Sequence, residues 1–232
     1  YNAQGPSNSV TAGCSSAILA IAESRHGIQK GLASTMLCGG ADSKTNPLSL
    51  VRFYLLKILA QGWSKPQEAS RPFDGKRNGL VVAEGAGVMV LEELGQAKAR
   101  GAKIYAEVIG SGSSFSDIED RAQSIQAKVR AMQKSLDDAG ITKEEINLIS
   151  SHGLSTIKED DEERKAIQTL FGERASSIPV IAPMSLLGYS GAACGALGLA
   201  AALLAIKDGL LVSHPNFIER EDGDELDYVI GS

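Results

Sequence analysis

Short apolar runs alternate with helical segments from one end of this chain to the other, and that alternation places it in the α/β class. Residues 15–30 read as a helix that is apolar on all sides over its first two turns, so that end is expected to be buried. A short strand at 34–38 runs into Gly39-Gly40, and Asn46-Pro47 marks the start of a helix over about 48–60. The run 87–91, inside a strand segment 85–92, is continuously apolar and predicts burial on both faces. A short helix over 94–100 ends at Gly101, and 104–109 predicts another strand. Ile125, Val129, Met132 and Leu136 share one face of a helix over 121–139, closed by Gly140. Thr142 with Glu145 reads as a capping box. A strand at 146–151 leads into His152, a charged helix follows over about 159–171, a short strand covers 180–182, a helix covers 192–207, and a last strand covers 226–230. No repeat and no low-complexity linker divides the chain, so it reads as one domain over 1–232.

Composition narrows what such a domain does. A hydrophobic content of 43% is enough for a sizeable core, and a net charge of -5 with no basic block argues against nucleic acid as a partner. Three cysteines, with no CxxC spacing and no secretory signal, point to a reduced, cytoplasmic setting. His26, His152 and His214 form no metal-binding pattern, and His26 and His214 read as surface residues. The longest apolar stretch, 192–206, falls short of the roughly 20 residues a membrane span needs and predicts a buried core helix.

The chemistry centres on Cys14. Small residues surround it in Thr11-Ala12-Gly13-Cys14-Ser15-Ser16-Ala17, and an apolar helix begins directly behind it. A thiol on such a strand-to-helix turn is exposed, and the helix N-terminus favours its nucleophilic thiolate. Read alone, the residue is as well explained as a small buried hydrophobe. The flanking pattern decides between the two. That segment with Gly5-Pro6-Ser7, Leu37-Cys38-Gly39-Gly40-Ala41-Asp42, Ala69-Ser70-Arg71-Pro72-Phe73-Asp74, Glu84-Gly85-Ala86-Gly87 and Ser151-His152-Gly153-Leu154-Ser155-Thr156 resembles, in order and in gaps, the elongating β-ketoacyl-ACP synthases.

The resemblance implies a thiolase-like αβαβα sandwich made of two related halves, commonly assembled as a homodimer. It implies no metal or organic cofactor. The family takes an acyl group from acyl carrier protein onto the cysteine, decarboxylates malonyl-ACP, and condenses the two. Carried over, Cys14 is the acyl acceptor and His152 the first active-site histidine. Glu163 stands where the family has a glutamate paired with an active-site lysine, although the acidic run around it reads equally as a solvated face. Leu48, Phe53, Tyr54 and Leu55 are candidates for the wall of an acyl channel, with core packing an equal explanation.

The departures are as informative. The family's Lys-Ser-x-x-Gly-His is here Met184-Ser185-Leu186-Leu187-Gly188-Tyr189. Met184 carries no charge, and Tyr189 replaces an imidazole with a phenol that can donate a hydrogen bond but is a poor base. Leu154 replaces a threonine and Asn78 an aspartate. Three functions fit this pattern: a condensing enzyme in which Tyr189 serves as donor, an acyl-transfer-only relative that still uses Cys14, and a non-enzymatic partner subunit of a ketosynthase heterodimer, against which the retained Cys14 argues. The resemblance starts inside a motif at Tyr1 and ends after Ile230, so the fold is expected to be incomplete at both ends.

Overall fold

The computed structural model describes residues 3–117 and 120–231; Tyr1, where the resemblance begins, lies outside them. Two small sheets organise the chain. Strands β1 (Thr35–Ser43) and β2 (Glu84–Glu92) pair antiparallel over their full length, Thr35 opposite Glu92 and Ser43 opposite Glu84. Strands β3 (Ile149–Ser150), β4 (Pro179–Ile181) and β5 (Asp227–Tyr228) form a parallel sheet with β4 in the middle.

Helices α1 (Ser16–Gln29) and α7 (Cys194–Asp208) lie on one face of the β1/β2 pair. Glycines allow that closeness. A Cβ at Gly40 would stand 2.4 Å from the Ala192 carbonyl oxygen and 3.1 Å from the Ala17 Cβ, and one at Gly87 would stand 2.7 Å from the Ala196 Cβ. These approaches bring the start of both helices to the same sheet edge, which is where the site is built.

The other face of this sheet is open. The 87–91 segment was expected to be buried on both sides, but Val88 and Val90 are 67% and 63% exposed and burial alternates along β2. Among the described residues, the apolar run has a helix layer on one side only. α7 departs from expectation in the same way. It starts at Cys194 after a short 3-10 turn at Gly191–Ala193, and it is half-buried rather than a core helix, with Leu204 and Ile206 exposed. Turn and helix together, Gly191–Asp208, are long and apolar enough to cross a membrane by length and composition. In the fold, one side of this stretch meets Ile18, Gly85 and Gly87.

The core of the second half is formed by Phe73, Leu136, Ile167, Leu170, Phe171, Ile178, Val180, Leu226 and Tyr228. α4 (Arg121–Ala139) supplies Leu136, with Val129 and Met132 packed beside it, and has the predicted bounds. Asp120 caps its first turn through Gln123 N at 3.1 Å, and Gly140 closes it in the left-handed conformation at φ 68°. The Thr142/Glu145 capping box is present. α5 (Ile157–Phe171) packs on α4 and begins two residues before its predicted start.

Several further elements differ from their expected extents: β1 runs on to Ser43 past its expected end at 38, and β3 and β5 keep only two residues of the expected 146–151 and 226–230. α2 (Pro47–Leu55) stops five residues early, because Lys57 turns to φ 56° and Leu59 then bridges to Leu80. α3 (Leu94–Ala99) is one residue shorter than expected. Residues 104–109 form no strand with any described residue; the Arg25 side chain donates to the Val108 and Ile109 carbonyls at 2.9 and 2.6 Å, satisfying two of the acceptors a ladder would have used.

His214 is not a surface residue. It is 2% exposed and sits among Phe73, Phe217 and Tyr228, with ring centroids 5.4–6.4 Å away. Neither ring nitrogen makes a well-formed hydrogen bond, and burial pushes its pKa down to about 4. The folded state therefore holds His214 neutral. The stability this contributes is present above the unfolded value near 6.5 and is lost as the pH falls toward 4, amounting to about 2–3 kcal/mol. His214→Phe should flatten that part of the stability-versus-pH curve, measured by denaturant unfolding between pH 7 and 4. An unchanged slope would show that the acid sensitivity lies elsewhere.

Candidate active site

Cys14 sits in a one-turn 3-10 helix, Gly13–Ser15, that runs into α1. Gly13 has φ 59°, a turn conformation that side chains resist. Ser16 locks the turn: its Oγ accepts from Ala12 N at 2.9 Å and donates to the Gly13 carbonyl at 2.8 Å. The thiol is thereby fixed at the N-terminal end of a 14-residue helix, partly open to solvent.

His152 follows β3. Ser151 N and Oγ both donate to the Ile181 carbonyl at 2.9 Å, anchoring the loop to β4. The loop's amides are then taken by two carboxylates of α5. Glu163 accepts from His152 N at 2.7 Å and Gly153 N at 3.0 Å. Asp160, fully buried, accepts from Leu154 N at 2.7 Å, Ser155 N at 3.0 Å and Phe73 N at 2.9 Å. Burial pushes the Asp160 carboxyl up to about 7 against the pull of those amides and of Arg77 at 3.7 Å. Phe73 and Ser155 are held at φ 63° and 66°, and Gly153 admits no Cβ, which would meet Phe73 and Pro72 at 2.8 Å. A loop this densely bonded holds its imidazole in one place.

Cys14 and His152, 138 residues apart in the chain, act on each other's charge. The His152 side chain lowers the thiol pKa, outweighing the burial that raises it. For His152, burial opposes the charged form, but the Cys14 thiolate, Glu163 and Asp160 together raise its pKa. The pair therefore leans toward thiolate and imidazolium. Nε2 of His152 is buried and makes no well-formed hydrogen bond to a described residue. Alkylation of Cys14 by iodoacetamide should follow a rate profile that inflects below the ordinary thiol value of 9.0. His152→Ala should move that inflection upward, as read by mass spectrometry across pH 5–10.

Tyr189 reaches the same place from α6 (Met184–Leu187) and Gly188. Its backbone is clamped to the 81–83 segment, N to the Val81 carbonyl and carbonyl to Ala83 N, both at 2.8 Å. Its ring meets Phe53 edge-on at 5.9 Å. Burial, followed by the negative charge of the Cys14 and Cys194 thiolates and Asp42, pushes the phenol up to about 12, so the O–H is kept at neutral pH. Met184 is buried at 3% exposure, its carbonyl accepting from Ser70 Oγ at 3.1 Å.

The structure thus brings together Cys14, His152 and Tyr189, with Glu163 behind His152. Glu163 belongs to the site and not to a solvated face, and Asp160 was missed. The signal for both was available: five consecutive acids, residues 159–163, at the start of a helix right after a glycine-bearing loop. Asn78 faces away, bonding Trp63 Nε1 at 2.9 Å and the Gln61 carbonyl at 2.7 Å. Of the channel candidates, Phe53 touches Tyr189, while Leu48, Tyr54 and Leu55 are 61–80% exposed. His26 lies in the last turn of α1. Among the described residues, no group of three or more His, Cys, Asp or Glu side chains is arranged to hold a metal.

Comparison with known proteins agrees with this arrangement. Residues 1–97 match the family model "Beta-ketoacyl synthase, N-terminal domain", and residues 105–218 match "Beta-ketoacyl synthase, C-terminal domain". The chain is 40% identical over 214 residues to a 3-oxoacyl-[acyl-carrier-protein] synthase 2 of Rhizobium meliloti (strain 1021), covering 90% of this chain and 50% of that protein. It is 35% identical over 229 residues to the tetracenomycin polyketide synthase ketoacyl synthase alpha subunit of Streptomyces glaucescens, covering 98% and 54%. It also superposes with a TM-score of 0.93 and 32% identity on a type II polyketide ketosynthase solved with its acyl-carrier protein, covering 99% of this chain and 57% of that one. The chain spans about half the length of the curated relatives it matches. Its architecture is that of the thiolase-fold ketosynthases. The cysteine turn comes from the stretch matching the N-terminal model and the histidine loop from the stretch matching the C-terminal one, and the chain belongs to the β-ketoacyl synthase family.

Proposed function

We propose that this chain carries the reacting residues of a β-ketoacyl-ACP synthase, in which Cys14 takes an acyl group as a thioester and passes it to a carbanion made from malonyl-ACP. The observation that carries this reading is the mutual charge coupling of Cys14 and His152 at the N-terminus of α1. A thiolate there attacks the incoming thioester, which splits one difficult substitution into two easier ones. His152 and Tyr189 then act as the two donors to the oxygen on which enolate charge develops during loss of carbon dioxide. Tyr189 suits this role as a donor only, because its phenol keeps its proton. The partners are acyl carrier protein bearing acyl and malonyl groups and a second ketosynthase subunit, identical or related. Residues 1–232 serve as a part of one ketosynthase domain. Three free cysteines support a reducing, cytoplasmic setting.

Met184 and Tyr189 favour a second reading, acyl transfer without decarboxylation. Two measurements separate the readings. Intact-mass spectrometry after exposure to acyl-ACP should show an acyl adduct on Cys14 under both. Carbon dioxide release from malonyl-ACP by the acylated protein is expected only under the first, and its absence alongside a normal adduct would leave the second.

A further inference from the structure

One corner of the β1/β2 sheet holds the Tyr189 backbone from both sides. Upstream, Tyr189 is paired with the 81–83 segment, and the Ala83 carbonyl in turn accepts from Lys44 N at 3.3 Å, directly past the end of β1. Downstream, Ser190 N donates to Cys194 Sγ at 3.3 Å, the chain turns at Gly191 with φ 57°, and Ala192 N donates to Asp42 Oδ2 at 3.0 Å. Asp42 lies near the end of β1, opposite Gly85. Its carboxylate is itself fixed in place: Oδ1 accepts from Ser43 N at 2.8 Å, and Oδ2 pairs with Lys44 Nζ at 2.8 Å. Burial works against its charge, but the Lys44 ammonium and the amides of Ala192 and Ser43 outweigh it, so the group is a carboxylate at neutral pH. Only glycine fits at 191, because a Cβ there would run into the Asp42 carboxyl and the Lys44 side chain. Asp42 therefore does more than cap the start of a helix 150 residues away. With Lys44 it ties the two ends of the stretch that carries the phenol to one point on the sheet.

We propose that Asp42 is a positioning residue for Tyr189: through Ala192 N it fixes the backbone that follows the tyrosine, and so sets where the phenol O–H points during loss of carbon dioxide. This deepens, and rests on, the reading of Tyr189 as a donor to the enolate oxygen. A donor contributes only if it already stands where charge develops, and a misplacement of about 1 Å caused away from the chemistry can cost on the order of 100-fold. Without the Asp42 carboxylate, Ala192 N loses its partner and the turn at Gly191 is free to shift. The Val81 and Ala83 bonds then hold Tyr189 from one side only. Loading of Cys14 does not pass through this clamp, because the Cys14 turn is locked by Ser16 and its charge is set by His152.

The test is a double-mutant cycle on wild type, Asp42→Ala, Tyr189→Phe and the double variant. Carbon dioxide release from malonyl-ACP is measured on each, with Cys14 loading from acyl-ACP followed by mass spectrometry on the same samples. Asp42→Ala should lower kcat for release about ten-fold and leave KM for malonyl-ACP nearly unchanged, because the lost interaction belongs to the transition state. Loading should change by no more than about two-fold. In the Tyr189→Phe background the same substitution should cost less than about two-fold, since the hydroxyl it positions is gone. Asp42→Asn, which can accept from only one of the two amides, should fall between wild type and Asp42→Ala, and it carries the comparison if the alanine variant does not fold. A slow Tyr189→Phe beside an Asp42→Ala that matches wild type would overturn the role of Asp42 alone. So would an equal loss from Asp42→Ala in both backgrounds, which is what a merely structural residue gives. No release by the wild type, or equal release by wild type and Tyr189→Phe, would overturn the donor reading and the proposal with it.

Discussion

Replacing Cys14 with alanine should abolish acyl loading and all turnover while leaving the fold untouched. Loss of the nucleophile from an enzyme that works through a covalent intermediate lowers turnover on the order of 10⁴-fold or more. The structural cost is small because Cys14 is only partly buried and the turn is held by Ser16, not by the thiol. Stability should change by less than about 1 kcal/mol. The comparison to make is intact mass after acyl-ACP exposure, wild type against Cys14→Ala, with a thermal melt on each. An adduct of equal occupancy in the variant would place acylation on another residue, and Cys194 would not be a natural substitute: it is 1% exposed, and burial raises its pKa.

Tyr189→Phe is the second large effect, and it isolates one atom. The phenylalanine ring keeps the edge contact with Phe53, and the hydroxyl it removes makes no hydrogen bond among the described residues. Its removal therefore costs the fold little. Decarboxylation should suffer far more, because losing one preorganised donor to a developing oxyanion typically costs about 100- to 1000-fold. Loading of Cys14 should change only a few-fold, since it depends on the thiolate, His152 and the helix N-terminus. Carbon dioxide release from malonyl-ACP, set against adduct formation on the same samples, measures the split. Equal carbon dioxide release in wild type and Tyr189→Phe would remove the donor role. The double change Met184→Lys with Tyr189→His should raise decarboxylation if the site is a weakened form of the family's usual arrangement.

The readings that held were those whose causes lie within a few residues. α4 ends where Gly140 adopts the left-handed conformation, and it starts where Asp120 takes the Gln123 amide, so its bounds are written in adjacent side chains. The Cys14 turn is equally local, set by Gly13 and by Ser16 folding back on it. The readings that failed depended on distant partners. Residues 104–109 have strand composition but pair with no strand among the described residues, and Arg25 from another element takes two of their carbonyls, those of Val108 and Ile109. His214 resembles any isolated polar residue until the fold places it beside Phe73, 141 positions earlier in the chain. Glu163 sits in an acidic run whose members diverge only when α5 docks, Asp161 pairing with Arg164 while Asp160 and Glu163 take loop amides.

By itself the sequence determined most of the strand-and-helix order, the Cys14 turn, and the two departures at Met184 and Tyr189, because composition, spacing and capping act over one or two turns of chain. Only the tertiary structure decided that Cys14 and His152 share charge, that Tyr189 keeps its proton beside them, and that Glu163 and Asp160 hold the histidine loop. Each of these follows from burial and from electrostatic fields between groups far apart in the chain, and neither exists until the two halves are packed together.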